Sequence, residues 1–202
     1  MKQLLLVTCF FMLGNWSFGQ ISAERLFENA ELQMDTGNYA GAEKDFSKAI
    51  ALKKHFPGAY NGRGEARLHL EKYEQAVKDL SRAIDYAPQY GDAIYNRSLA
   101  YEKLEKYEEA IKDMTRYIEL EPQFVQAYSH RALLHSLLFQ YTEAFADLEQ
   151  AKAMAPNECQ TWFIEGDVWY MKGNLKKACK AWEKAAKMGC EQAQRSAEEF
   201  CK

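Results

Sequence analysis

From Ala23 onward, apolar residues recur at helical spacing, and short polar stretches break the pattern into segments of similar length. An apolar stripe of this kind predicts amphipathic helices joined by tight turns. The stretch from Gly91 to Phe124, GDAIYNRSLAYEKLEKYEEAIKDMTRYIELEPQF, reads as two such helices, closed by Pro122. A shift of 34 residues in either direction brings the same pattern back: Pro88, Pro122 and Pro156 fall on it, as do Tyr39, Tyr73, Tyr107 and Tyr141. Ala42, Ala76, Ala110, Ala144 and Ala178 follow the same spacing. A sustained period of this length is the sign of a stacked-repeat scaffold, in which each unit buries its apolar face against its neighbours.

Taken literally, the period gives units at 23–56, 57–90, 91–124, 125–158 and 159–192, with no insertion. The eighth residue of each is small: Ala30, Gly64, Ser98, Ala132 and Gly166. The twentieth is always alanine, and the twenty-fourth is large: Phe46, Leu80, Met114, Leu148 and Trp182. Small against large at facing positions predicts interdigitated packing. The tyrosine at the seventeenth position starts the second helix and covers the turn, with Leu175 in its place in the last unit. Proline at the thirty-second position ends each second helix, because it cannot continue the hydrogen-bond ladder. The end units depart from the pattern, with Lys54 and Cys190 at the proline position, as terminal repeats do. Beyond them, Glu191 to Lys202 reads as a short last helix, with 193–202 the cap over the open end of the stack. Tyr117 stands where the other units have alanine; it either pushes two repeats apart or fills a gap.

These positions, recurring together in register, resemble the tetratricopeptide repeat over nearly the whole chain after its first twenty residues. The resemblance implies an all-α, right-handed α-solenoid of five helix hairpins plus a C-terminal capping helix. It also implies a concave groove, lined by the first helices, that receives a polypeptide. The family's groove positions carry over to Phe27, Glu31, Glu65, Leu68, Tyr95, Asn96, Leu99 and Glu102, then to Leu133, Leu137, Phe163, Asp167 and Tyr170. Some members clamp a peptide's terminal carboxylate with Lys and Asn. Here only Asn96 matches, and the lysines are missing. The groove is acidic towards the N-terminus and apolar towards the C-terminus, which suits a segment with apolar anchors and some positive charge.

Before the repeats, Lys2 precedes an apolar run from Leu4 to Leu13, and Ser17 and Gly19 have the spacing of a signal-peptidase site. Residues 1–19 therefore read as a signal peptide, and 20–202 as the repeat domain. The run is short for a membrane span, which needs about 20 residues. Export places the protein in the periplasm or outside the cell. Without Lys2 the balance is 25 basic residues against 29 acidic. That mixture is too acidic for a nucleic-acid footprint and shows no membrane-binding stripe.

Chemistry-bearing clusters are few. Arg63, Arg97 and Arg131 share one position, and Asp45, Asp79, Asp113 and Asp147 another, so they read as structural Arg–Asp pairs. Four cysteines follow the leader: Cys159, Cys179, Cys190 and Cys201. Their spacing is not that of a zinc site, and an even number in an exported chain points to disulfides with three possible connectivities. In an antiparallel hairpin Cys159 and Cys190 lie at the same end, and Cys179 can meet Cys201 on the cap; buried free thiols are the alternative. The four histidines form no ligand motif, and neither a nucleophile elbow nor a phosphate loop is present. Asn96-Arg97-Ser98 is a glycosylation triplet, but it lies within a predicted helix. The expectation is a non-enzymatic adaptor without cofactor or metal that binds a protein or peptide. The alternative is a structural protein that binds its own copy.

Overall fold

The structure, a computed structural model, describes residues 22–202. The expected signal peptide, 1–19, lies outside the described residues. Among these there are eleven helices and no strand. They are α1 (Ala23–Asp35), α2 (Tyr39–Leu52), α3 (Pro57–His69), α4 (Tyr73–Tyr86), α5 (Gly91–Lys103) and α6 (Tyr107–Leu120). They continue with α7 (Val125–Leu137), α8 (Tyr141–Met154), α9 (Cys159–Met171), α10 (Leu175–Lys187) and α11 (Glu191–Phe200). Successive helices pair as hairpins, and each second helix also packs on the first helix of the next pair. The first helices α1, α3 and α5 also touch in series, as do α7 and α9, so they share one wall of the stack. The result is an α-solenoid of helix hairpins.

Absent side chains let the helices close. A Cβ on Gly64 would stand 2.7 Å from Leu80, and one on Gly166 would stand 2.2 Å from Trp182. Gly62 meets Phe46 of the preceding hairpin in the same way, at 2.3 Å. Phe46, Leu80, Met114, Leu148 and Trp182, the large residues of the five units, are all buried. The buried apolar residues form a series of clusters along the stack rather than one central core.

Polar contacts tie neighbouring hairpins. Arg97 donates from Nε and Nη2 to both carboxylate oxygens of Asp113, at 2.7 and 2.8 Å, and from Nη1 to Ser81 of the preceding hairpin, at 3.0 Å. Arg63 repeats this with Asp79 and Ser47, and Arg131 with Asp147 and Thr115. Each arginine thus pairs within its unit while bonding across the junction. The linkers are held similarly: Tyr128 donates to the carbonyl of Pro122 and Trp162 to that of Pro156, at 3.1 and 3.0 Å. Tyr117 fills a gap. It is buried against Tyr95 and Phe124, and its ring lies 3.4 Å from where a Cβ on Gly91 would stand.

The last hairpin is closed by α11. Phe200 packs on Tyr170 and Trp182, with centroids 5.1 and 5.8 Å away, and Cys201 is bonded to Cys179 with Cα atoms 5.5 Å apart. The Cys159–Cys190 bridge expected from the hairpin geometry is not made, and both are free thiols. They are close enough for a hydrogen bond. Burial first, and the Cys190 thiol second, push the Cys159 thiol up. A thiol held protonated is a poor nucleophile for disulfide formation.

Candidate functional site on the inner wall

The inner wall is built from α1, α3, α5, α7 and α9, because residues at helical spacing on each present one face there. Between α3 and α5 lies a depression of about 290 Å³. It gathers five residues that the sequence places in the groove: Glu65, Leu68, Asn96, Leu99 and Glu102. Leu68 and Leu99 are the apolar part and the other three the polar part. His69 and Lys103 complete the rim, with Tyr73 from α4. Sequence reasoning misses Tyr73, because it assigns that position only to covering the turn. The signal lies in its counterparts, which also reach the next hairpin's first helix: Tyr39 stacks on His69 at 4.0 Å, and Tyr141 donates to the Met171 carbonyl at 3.0 Å.

Electrostatics divide this wall. Burial pushes the Glu65 carboxyl up, with Asp92 adding to the rise while His69 opposes it. Glu31 is also raised, by burial and then by the charges of Glu65 and Asp35. These carboxylates have no salt-bridge partner among the described residues. Glu102 differs. Its Oε2 lies 2.6 Å from His130 Nε2, and that hydrogen bond holds its carboxyl below the usual range. Asn96 is oriented by donating to Asn61 Oδ1 at 3.2 Å.

The other groove residues are spread along the stack and mostly packed. Phe27 lies against Phe46 and Phe56, at 5.5 and 5.0 Å. Tyr95 packs on Tyr117 and Phe124. Leu133 and Phe163 are half-buried against the core cluster of the α7–α9 region, and Leu137 is half-buried near the end of α7. Asp167 accepts from the Trp182 indole at 2.9 Å, and burial pushes its carboxyl up to about 6. Tyr170 keeps an exposed face, although Phe200 from the cap shares its other side. Sequence reasoning misses this contribution of α11; the helical spacing of Ala193, Ala197 and Phe200 shows that the cap packs but not onto which ring. No group of three or more His, Cys, Asp or Glu among the described residues is arranged to hold a metal ion. No helix among them is long and apolar enough to cross a membrane.

Stacked hairpins with a shared inner wall define the class of α-solenoid repeat proteins. The family model of the tetratricopeptide repeat matches at residues 27–93, 64–123 and 95–158, and the chain belongs to that family. Solved structures share the fold. MamA (residues 41 to the end) from Desulfovibrio magneticus RS-1 superposes with a TM-score of 0.75 at 18% identity, covering 82% of this chain and 94% of that one. YrrB, described as a TPR protein with an unusual peptide-binding site, gives 0.72 at 21% identity, covering 88% and 92%. A thermophilic TPR protein of Thermus thermophilus, TTC0263, gives 0.70 at 18% identity, covering 89% and 99%. No curated protein matches the sequence.

Proposed function

We propose that this protein is a non-enzymatic scaffold that holds an extended segment of another protein against its inner wall. The depression between α3 and α5 carries the reading, because it sets two leucines among half-buried carboxylates. A leucine side chain loses water on entering such a site, and a lysine or arginine beside it relieves the unpaired charge of Glu31 and Glu65. The preferred partner is therefore a basic segment with an aliphatic anchor. YrrB, a fold neighbour with a peptide-binding site, is consistent with this use of the fold. On the same reading, the leader-like residues 1–19 carry the scaffold across the inner membrane, into the periplasm or envelope of a bacterium.

A library of peptides that vary lysine, arginine and leucine, read by fluorescence anisotropy, tests the reading. The tightest binders should be basic and aliphatic, and Leu99→Asp and Glu65→Gln should each weaken them at least tenfold. Equal affinity for the parent and both variants would overturn the site. Affinity should also fall as pH drops through the raised ionisations of Glu31 and Glu65.

A further inference from the structure

The fifth hairpin departs from the others on the side of α9 facing away from the inner wall. In hairpins two to four, an arginine on the first helix meets an aspartate on the second. In the fifth, those positions hold Glu165 and Ala181. Lys152 of α8 takes Glu165, at 3.0 Å. A cleft of about 420 Å³ lies between α9 and α10, beside Ala181, where the other hairpins carry a carboxylate.

Its walls are aromatic and its rim is basic. Trp162 and Trp169 are half-buried on α9. Their indole N–H groups already have acceptors, in the carbonyl of Pro156 and the carboxylate of Glu165, so they offer ring faces rather than donors. Lys177, Lys180 and Lys184 follow one another on one face of α10. All three are exposed and none has a salt-bridge partner among the described residues. Lys184 lies on the Trp162 ring at 3.2 Å from its centroid, and Lys177 on Trp169 at 4.0 Å. Glu165, the one carboxylate in the lining, is engaged by Lys152, so the lysines of α10 rest on aromatic faces without an anion of their own.

We infer that this cleft is a second binding site, and that its occupant is an acidic protein segment carrying an apolar or aromatic side chain. The carboxylates would take the place of the missing aspartate, and the side chain would lie between the indoles as the lysines swing outward. Charge complementarity favours a short acidic peptide over a nucleic acid. The chain as a whole carries a net negative charge of −3, so a long polyanion is repelled beyond the cleft. The site lies on the opposite face from the peptide groove proposed above, so the scaffold would join a basic partner inside to an acidic one outside.

Tryptophan fluorescence reads the site directly. The purified full chain is titrated with an eight-residue peptide alternating glutamate with phenylalanine and leucine, and with its glutamine counterpart. The acidic peptide should shift the emission saturably; the glutamine peptide should bind at least tenfold more weakly. Ala181→Asp, which restores the carboxylate of the other hairpins, and the double variant Lys177→Glu with Lys184→Glu should each weaken binding tenfold or more. Circular dichroism should show both variants folded, and Leu99→Asp should leave this titration unchanged. Unaltered binding by either folded cleft variant would overturn the proposal. So would loss of binding in Leu99→Asp, which assigns the peptide to the inner wall, or tighter binding of a single-stranded oligonucleotide, which assigns the cleft to nucleic acid.

Discussion

Asp167 shows how a single side chain on the inner wall bears on both shape and stability. It sits among Trp182, Tyr170 and the small Gly166, and its carboxylate has only the Trp182 indole as a donor. Burial disfavours the charged form more than that bond favours it, so the group titrates at about 6. A carboxyl that holds its proton more tightly when folded stabilises the native state at low pH. That contribution is lost as pH rises from the ordinary aspartate range through about 6. At neutral pH Asp167 is therefore a net cost, about 1–2 kcal/mol after allowing for its partial contact with water. Asp167→Asn keeps an oxygen for the indole and removes the charge. Chemical denaturation should find the variant more stable than the parent at pH 7.5, with the gap closing near pH 4. A gap that is the same at both values would show that the carboxylate's charge is not the cause.

At the scale of the helix, the turn within each hairpin obeys a rule that composition hides. The fifteenth residue of every unit has positive φ: Gly37 at 75°, Glu71 at 58°, Glu105 at 59°, Phe139 at 60° and Gly173 at 81°. The first helix must stop there and reverse within three residues, and a left-handed residue does this by returning its N–H to the helix end. In two units glycine meets the demand without strain; in the other three a side chain accepts it. Glu105→Gly should therefore raise stability by about 0.5–1 kcal/mol, offset in part by the greater freedom of the unfolded chain. Thermal unfolding checks this, and a lower melting temperature would mean that Glu105 has a contact that outweighs the strain. The hairpins themselves are legible from sequence, because each is fixed by small–large pairs such as Gly166 and Trp182 that recur at one spacing. The left-handed glutamates are not, because no residue type marks them. The groove is legible in part: helical spacing picks out a face, so Glu65, Leu68, Asn96, Leu99 and Glu102 are found together. Spacing does not say how far neighbouring helices close over that face, so it leaves open which groove side chains pack against other rings, as Phe27 and Tyr95 do. Nor does a repeat-based reading single out the cleft beside Trp162 and Trp169, because its Glu165 and Ala181 stand where the fifth unit departs from the repeat.

Over the whole molecule, stability is carried from neighbour to neighbour, and the two ends have one neighbour each. The N-terminal hairpin has nothing before it among the described residues except the Ser22 cap on α1. The C-terminal one has α11, whose Ala193 is buried and whose Phe200 covers Trp182. A ten-residue helix is too short to persist alone in water. It is held by that small contact and by the bond from Cys201 to Cys179, a loop closed over 22 residues. Loop closure of that length restricts the unfolded chain by about 3 kcal/mol. Because coupling is local, the loss should be local as well. In Cys201→Ser, or under reducing agent, hydrogen exchange should quicken first in α11 and then in α9 and α10, where Trp182 and Tyr170 lose their cover. Amides of α3 to α6 should exchange as before, and peptide binding between α3 and α5 should persist. Uniform quickening along the chain would mean that the stack unfolds as one cooperative body, with the cap a keystone rather than a lid. No change at all would mean that Phe200 and Ala193 hold the cap without the bond.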